Sequence, residues 1–272
     1  MAQQMRIVSR SPNLNVMANA AFNAARGLIR DYGEVEHLQV SRKGPGDFVS
    51  TADKKAENSI YKDLKKARPT YGFVMEESGE IPGEEDYTWY VDPLDGTTNF
   101  LHAVPHFAIS IGLQKGTEMI AGVIYDPIKD ELFYAEKGGG AFLNERRLRV
   151  SARQQLTDAL LGTGIPFASH TKENQTKFQG SLEQVMPLVA GVRRMGAAAL
   201  DMAYVAAGRY EGYWELGISS WDIAAGIVLV QEAGGYVCDL NDGNDSFGTN
   251  SILATNQFLN QPLKDILLPC YK

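Results

Sequence analysis

Apolar residues near the start of the chain recur at helical spacing. Leu14, Met17, Ala18, Ala21, Ala25, Leu28 and Ile29 share one face of a helix over 13–32, with Gly33 as its stop. Ile60, Tyr61 and Leu64 repeat the pattern within 53–67, and Pro69 lies beyond its end. Between these helices KGPGDFVSTAD (43–53) is a glycine-rich turn that runs into a short strand. From Thr88 the period shortens to that of strands. TWYV, HFAISIGLQ, EMIAGVIYD and ELFYAEK are separated by turn signals at Gly116 and Asp126-Pro127. Lys115-Gly116 suits a hairpin, so part of this sheet is expected to be antiparallel.

The second half alternates differently. DALLGTG, GVRRMG, GYWEL, GYVCDL and SILATN read as strands, and 173–189, 200–208, 221–233 and 257–267 as helices. The helix over 221–233 is strongly apolar and stops at Gly234-Gly235. A boundary near Val150 divides an α+β half, 1–150, from an α/β half, 151–272, within one compact unit. Helices alternating with strands in mixed pairing, with no internal repeat, predict an α+β fold layered as a sandwich.

Composition narrows the function classes. With 44% hydrophobic and 22% charged residues, the 272-residue chain is an ordinary globular protein. Its formal charge of −7 argues against a general nucleic-acid or anionic-membrane binder. An anionic small substrate stays open, because a bound metal ion reverses the local field. Cys238 and Cys270 are far apart and outside any metal-ligand spacing, as expected of reduced thiols in a cytoplasmic protein. Arg6 and Arg10 precede no uninterrupted apolar stretch, so no signal peptide is expected. No segment approaches the ~18 apolar residues of a membrane span.

The candidate chemistry lies in acids at the ends of elements. In WYVDPLDGTTNF (89–100), Asp92 and Asp95 follow three strand-forming residues and precede Gly96, Thr97 and Thr98. A capping or turn role is the plain alternative for these acids. Glu76-Glu77 follows YGFVM, Asp222 opens the apolar helix, and Asp53 opens an earlier one. Carboxylates aimed into one cleft repel unless a cation joins them, and an all-oxygen set without histidine suits Mg²⁺ or Mn²⁺. Glycine and exposed amides at a helix start favour phosphate oxygens. Acids, metal and an anion pocket together suggest phosphoryl chemistry.

These residues resemble the inositol monophosphatase family of Mg²⁺-dependent, lithium-sensitive phosphatases, and its bacterial branch in particular. MEES (75–78), WYVDPLDGTTNF and WDIAAGIVLVQEAGG (221–235) carry the likeness, which KGPGDFVSTAD and RRMGAAALDMAYVAAG (193–208) extend over nearly the whole chain. The resemblance implies a layered αβαβα sugar-phosphatase-like sandwich. It implies one metal on Glu76, Asp92 and the carbonyl of Leu94, a second on Asp92, Asp95 and Asp222, and a weaker third through Glu76. Thr97 beside Asp53 would position and deprotonate a metal-activated water, with Lys43 near that loop. The amides of Gly96 and Thr97 would bind phosphate. Gly196, Ala197, Ala198, Glu215 and Arg193 would line the sugar or inositol side together with Asp95 and Asp222. It also implies a homodimer. Met75, where many relatives have a small residue, and GISS before Trp221 depart from the family pattern and bear on substrate preference.

The remaining tempting residues take plain readings. His37, His102, His106 and His170 show no metal spacing. Arg146, Arg147 and Arg149 read as a solvated turn, Met186 and Met195 as core filler, and Trp221 as core packing that fixes the start of the helix carrying Asp222. The function expected is hydrolysis of inositol 1-phosphate or a similar polyol phosphate. The alternatives are a fructose-1,6-bisphosphatase, a 3′-phosphoadenosine nucleotide phosphatase, and a regulatory protein-binding role.

Overall fold

The computed structural model describes residues 11–34, 40–44, 47–166, 171–241, 247 and 249–271, with backbone alone over 40–50. Helix α1 (Pro12–Tyr32) starts where the Ser11 hydroxyl accepts the Leu14 N–H at 3.2 Å and proline occupies the first turn. Its buried face is rich in alanine, which lets α2 (Thr51–Ala67) pack closely against it. The hairpin of β1 (Val40–Gly44) and β2 (Asp47–Ser50) leads into α2.

The first sheet has eight strands: β3 (Gly72–Met75), β4 (Gly79–Ile81), β5 (Tyr87–Asp95), β6 (Ala108–Lys115), β7 (Glu118–Asp126), β8 (Glu131–Glu136), β9 (Gly140–Leu143) and β10 (Arg146–Arg147). Their spatial order is β10-β9-β8-β7-β6-β5-β3-β4, and only β3 and β5 pair in parallel. The short helix α3 (Thr97–Leu101) joins β5 to β6. As expected, Gly116 closes the β6–β7 hairpin, in the left-handed region at φ +60°.

The second sheet, in the order β12-β11-β13-β15-β14, contains β11 (Leu160–Thr163), β12 (Gly191–Arg193), β13 (Gly212–Leu216), β14 (Tyr236–Cys238) and β15 (Ser251–Thr255). Helices α4 (Lys172–Val185) and α7 (Asn260–Tyr271) cover one face, contributing Val185, Leu263 and Leu267 to a core with Trp214. Helices α5 (Ala198–Ala206) and α6 (Ser220–Glu232) lie between the sheets, sharing a core with Ile124 and Phe133 of the first and Tyr213 and Ile252 of the second. With α1 and α2 outside the first sheet, the layers run αβαβα.

Gly112 and Gly122 face each other on β6 and β7. A Cβ at Gly112 would lie 2.6 Å from the Ala224 Cβ, and one at Gly122 only 2.4 Å from the Ala225 carbonyl oxygen. Both glycines let α6, which carries Asp222 in its first turn, sit directly on the first sheet.

Three expectations need correction. Met186 and Met195 are 54% and 38% exposed, not core filler. The helix expected over 173–189 ends at Val185, because Pro187 has no N–H to continue the ladder and a single 3₁₀ turn follows. Trp221 is half-buried rather than core. Its carbonyl accepts a 3.4 Å hydrogen bond from Ser110, so the backbone ties the start of α6 to β6.

Gly122→Ala is expected to destabilise the protein by about 1–3 kcal/mol, since the new methyl meets helix backbone that has no room to yield. Gly180→Ala in α4, where a Cβ meets nothing within 4 Å, is expected to be neutral or stabilising by up to about 1 kcal/mol. Denaturant melts of the two variants measure both effects. Equal stability of the pair would contradict the close seat of α6.

Candidate active site

The DPLD segment does not follow its strand but lies inside it. β5 runs through Asp95, and its register against β6 slips between Asp92↔Ser110 and Asp95↔Ala108. One extra residue is therefore inserted at Pro93-Leu94, where proline offers no ladder donor. In a regular strand two residues three apart point to opposite faces. The inserted residue removes that parity, so the bulge lets Asp92 and Asp95 serve one site. Asp92 Oδ1 accepts the Leu94 N–H at 2.9 Å and braces the bulge from within. Gly96 then takes φ +91°, and a Cβ there would lie 3.1 Å from the His106 carbonyl and 3.3 Å from Ala197 Cβ. Only glycine turns the chain there at low cost.

Each remaining acid is held by an element end. Asp95 accepts the Ala198 and Ala199 N–H groups at 3.1 and 2.8 Å, which anchors the N-terminus of α5 to the first half. Asp222 accepts the Ser219 N–H at 2.9 Å in a capping box at the start of α6. Glu76 follows β3, and its N–H bonds the Val91 carbonyl at 3.2 Å, one residue before Asp92. The fully buried Asp53 lies at the start of α2. The Thr97 hydroxyl lies 3.1 Å from Asp53 Oδ1 and 3.0 Å from the Leu94 carbonyl oxygen. The Lys43 side chain lies outside the described residues, as do His37 and His170.

Across the cleft, the carboxylate of half-buried Glu215 lies against Gly164, where a Cβ would fall 1.8 Å from its Cδ. The fully buried Tyr213 donates its hydroxyl proton to Glu215 Oε2. Gly196 and Ala197 form the turn before α5, whose first residue is Ala198, and Asn99 fixes that turn by donating to the Met195 and His106 carbonyls, both at 2.8 Å. Arg193 donates back to the Val192 carbonyl on its own strand, while Arg194 is the cation that lowers the pKa of Asp201 and Glu215. The sequence leaves the Arg193-Arg194 pair open as a surface pair, a subunit contact or an anion contact near Gly196, whereas sequence reasoning missed Asn99, Tyr213, Asp201 and Glu57. Only Glu57 left a signal, being one helical turn after Asp53 on an otherwise solvent-rich helix. Buried His106 packs edge-on to Tyr204, and burial followed by Lys129 lowers its pKa to about 4, so it is neutral.

The electrostatics are dominated by uncompensated acid. Burial pushes Asp92 well above the usual carboxylate range, and Glu76, Asp95 and Asp222 push it further, against the Leu94 hydrogen bond. Asp95 is raised to about 7 by burial, over the opposition of its two amide bonds, with Glu215 and Glu76 adding to the rise. Glu215 is also raised to about 7, mainly by burial and then by Asp222, while Tyr213 and Arg194 lower it. Asp201 is buried with Oδ1 unpartnered and is raised well above its usual value by burial, Glu215 and Asp95. Among the described residues no three acid, histidine or cysteine side chains close into ligating geometry. The donor set is nevertheless all oxygen, and Glu76, Asp95 and Asp222 lie near enough to buried Asp92 to raise its pKa, a chemistry that fits a hard divalent cation.

Residues 10–267 match the sequence model of the inositol monophosphatase family. An inositol-1-monophosphatase of Mesorhizobium japonicum is 54% identical over 257 residues, covering 94% of this chain and 96% of that protein. A Nus factor SuhB of Pseudomonas aeruginosa is 45% identical, covering 90% of this chain and 92% of that one. The crystal structure of extragenic suppressor protein suhB from Bartonella henselae superimposes with a TM-score of 0.91 at 53% identity, covering 94% and 98% of the two chains.

The raised acids fix the sign of a pH effect. Asp95 and Glu215 have ordinary values of 3.8 and 4.5 and are raised to about 7 in the fold. Between about 4 and 7 the folded state therefore holds more protons than the unfolded chain, and their contribution to stability falls as pH rises. A divalent cation favours the ionised carboxylates. Mg²⁺ is therefore expected to raise Tm more at pH 8 than at pH 5. Thermal melts with and without Mg²⁺ measure this, and an equal rise at both pH values would contradict it.

Proposed function

Because the chain belongs to the inositol monophosphatase family, we propose that it is a Mg²⁺-dependent phosphomonoesterase acting on inositol 1-phosphate or a similar small polyol phosphate. The observation that carries this reading is that buried Asp92 has Glu76, Asp95 and Asp222 close enough to raise its pKa, with Asp95 and Asp222 each held by backbone amides at helix starts. Glu76, Asp92, the Leu94 carbonyl, Asp95 and Asp222 would hold two to three Mg²⁺ ions. When bound, Mg²⁺ supplies Lewis-acid chemistry, drawing charge from phosphoryl oxygens and lowering the pKa of water.

The chain's own residues supply the rest. The Thr97 hydroxyl has one proton and two acceptors in reach, Asp53 Oδ1 and the Leu94 carbonyl. Its lone pairs are thereby left to accept a hydrogen bond from an attacking water, and Asp53 takes the proton through Thr97. Lys43 is assigned to the same loop on the family resemblance. The Gly96 and Thr97 amides receive phosphate oxygens, for which Gly96 allows close backbone approach. On the leaving-group side, Glu215 and Asp95 accept hydrogen bonds from substrate hydroxyls. Gly196, Ala197 and Ala198 form the wall behind them, with Arg193 at its edge. Hydrolysis is direct, without a covalent enzyme intermediate.

Lithium sensitivity and a homodimer complete the reading on the family resemblance, and a cytoplasmic location on Cys238 and Cys270 read as reduced thiols. No helix among the described residues is long and apolar enough to cross a membrane. The Pseudomonas relative named as a Nus factor favours a second reading, a protein-binding role beside the phosphatase. A pull-down comparing the intact chain with Asp92→Asn separates a partner that depends on the site from one that does not.

Initial rates with Mg²⁺ on inositol 1-phosphate, fructose 1,6-bisphosphate and 3′-phosphoadenosine 5′-phosphate test the substrate class. The inositol phosphate is expected to have the highest kcat/KM, and a preference for the nucleotide would overturn the choice. Thr97→Ala is expected to lower kcat by about 10²-fold, the scale of a lost general-base relay, with little change in KM. An unchanged kcat would remove Thr97 and Asp53 from the proton path.

A further inference from the structure

We propose that Glu57 is a positioning residue that sets the divalent-cation affinity of the site by holding the turn that presents Glu76. The inference rests on the reading of the acid cluster as a cation site. Glu57 is only 3% exposed. Its Oε2 accepts the Glu77 N–H at 2.7 Å and its Oε1 accepts the Ser78 hydroxyl at 2.5 Å. A buried carboxylate is costly unless it is bonded, and both of these bonds go to the two residues that follow Glu76. The N–H of Glu76 itself is tied to β5 at Val91. The turn is therefore fixed on one side by the strand that carries Asp92 and on the other by α2.

The place of Glu57 on α2 gives the arrangement its purpose. Asp53 and Glu57 are one helical turn apart, so they share a face. Asp53 reaches the Thr97 loop and Glu57 reaches the Glu76 turn. One rigid helix face thus spaces the two loops that carry the acids. Outer-shell carboxylates commonly orient metal ligands in this way.

A rival role is separable on chemical grounds. If Glu57 acted only through its negative charge, glutamine would lose the effect as fully as alanine. Glutamine has the same length, and its Oε1 still accepts the Glu77 N–H while its amide nitrogen donates to Ser78. If Glu57 acts by position, glutamine therefore restores what alanine removes.

Titration calorimetry of the full-length protein with Mn²⁺, without substrate, reads the affinity directly. Glu57→Ala is expected to weaken Mn²⁺ binding by about tenfold or more, the lower end of the effect of lost outer-shell partners. Glu57→Gln is expected to stay close to the unsubstituted protein. Ser78→Ala, at an exposed position, is expected to weaken binding roughly threefold, the size of one lost hydrogen bond. If Glu57→Ala does not fold, Glu57→Gln and Ser78→Ala decide the matter, and unchanged affinity in Ser78→Ala then overturns the proposal. Folded Glu57→Ala with unchanged affinity overturns it, as does Glu57→Gln as weak as Glu57→Ala. An unsubstituted protein that takes up no Mn²⁺ overturns the cation reading and this inference together.

Discussion

The repulsion among buried carboxylates is the constraint around which this fold is arranged. Asp92 is buried in a position where Glu76, Asp95 and Asp222 all raise its pKa. Such a cluster weakens a protein unless its members are held by hydrogen bonds or joined by a cation. The fold supplies the first directly. Asp92 takes the Leu94 amide, Asp95 two amides of α5, and Asp222 the amide of Ser219. These bonds aim the acids without neutralising them, which leaves charge for a cation to satisfy.

The architecture explains how acids from distant parts of the chain meet. Asp92 and Asp95 come from a bulged strand of the first sheet, and Asp222 from a helix seated on that sheet through Gly112 and Gly122. α5 is joined to the first half by Asp95, and the turn before it by Asn99. The candidate acids therefore come from the first sheet and from α6, which with α5 shares a core with both sheets.

Element types were largely legible in the sequence, because α1 and α2 have clear periodicity, α6 is an apolar run closed by two glycines, and the β6–β7 hairpin has a glycine at its turn. The acids at element ends were legible too. The bulge was not, since DPLD reads equally as a loop after a strand, and only pairing with β6 shows the extra residue. Met186 and Met195 illustrate another limit. Apolar character does not say which face of a layered fold a residue takes, and both are exposed. Arg193 and Arg194 are adjacent in sequence, and nothing there distinguishes Arg193, which bonds the Val192 carbonyl, from Arg194, which lowers the pKa of Asp201 and Glu215. Glu57 left only its spacing from Asp53 as a signal, because a glutamate on a polar helix looks solvated until its partners are seen.

The most direct measurement is phosphate release from inositol 1-phosphate with Mg²⁺, with EDTA and in Asp95→Asn. If the buried acids hold the metal that drives the chemistry, release requires Mg²⁺, stops with EDTA and is nearly abolished in the variant. Full release in EDTA, or from folded Asp95→Asn, would contradict the account.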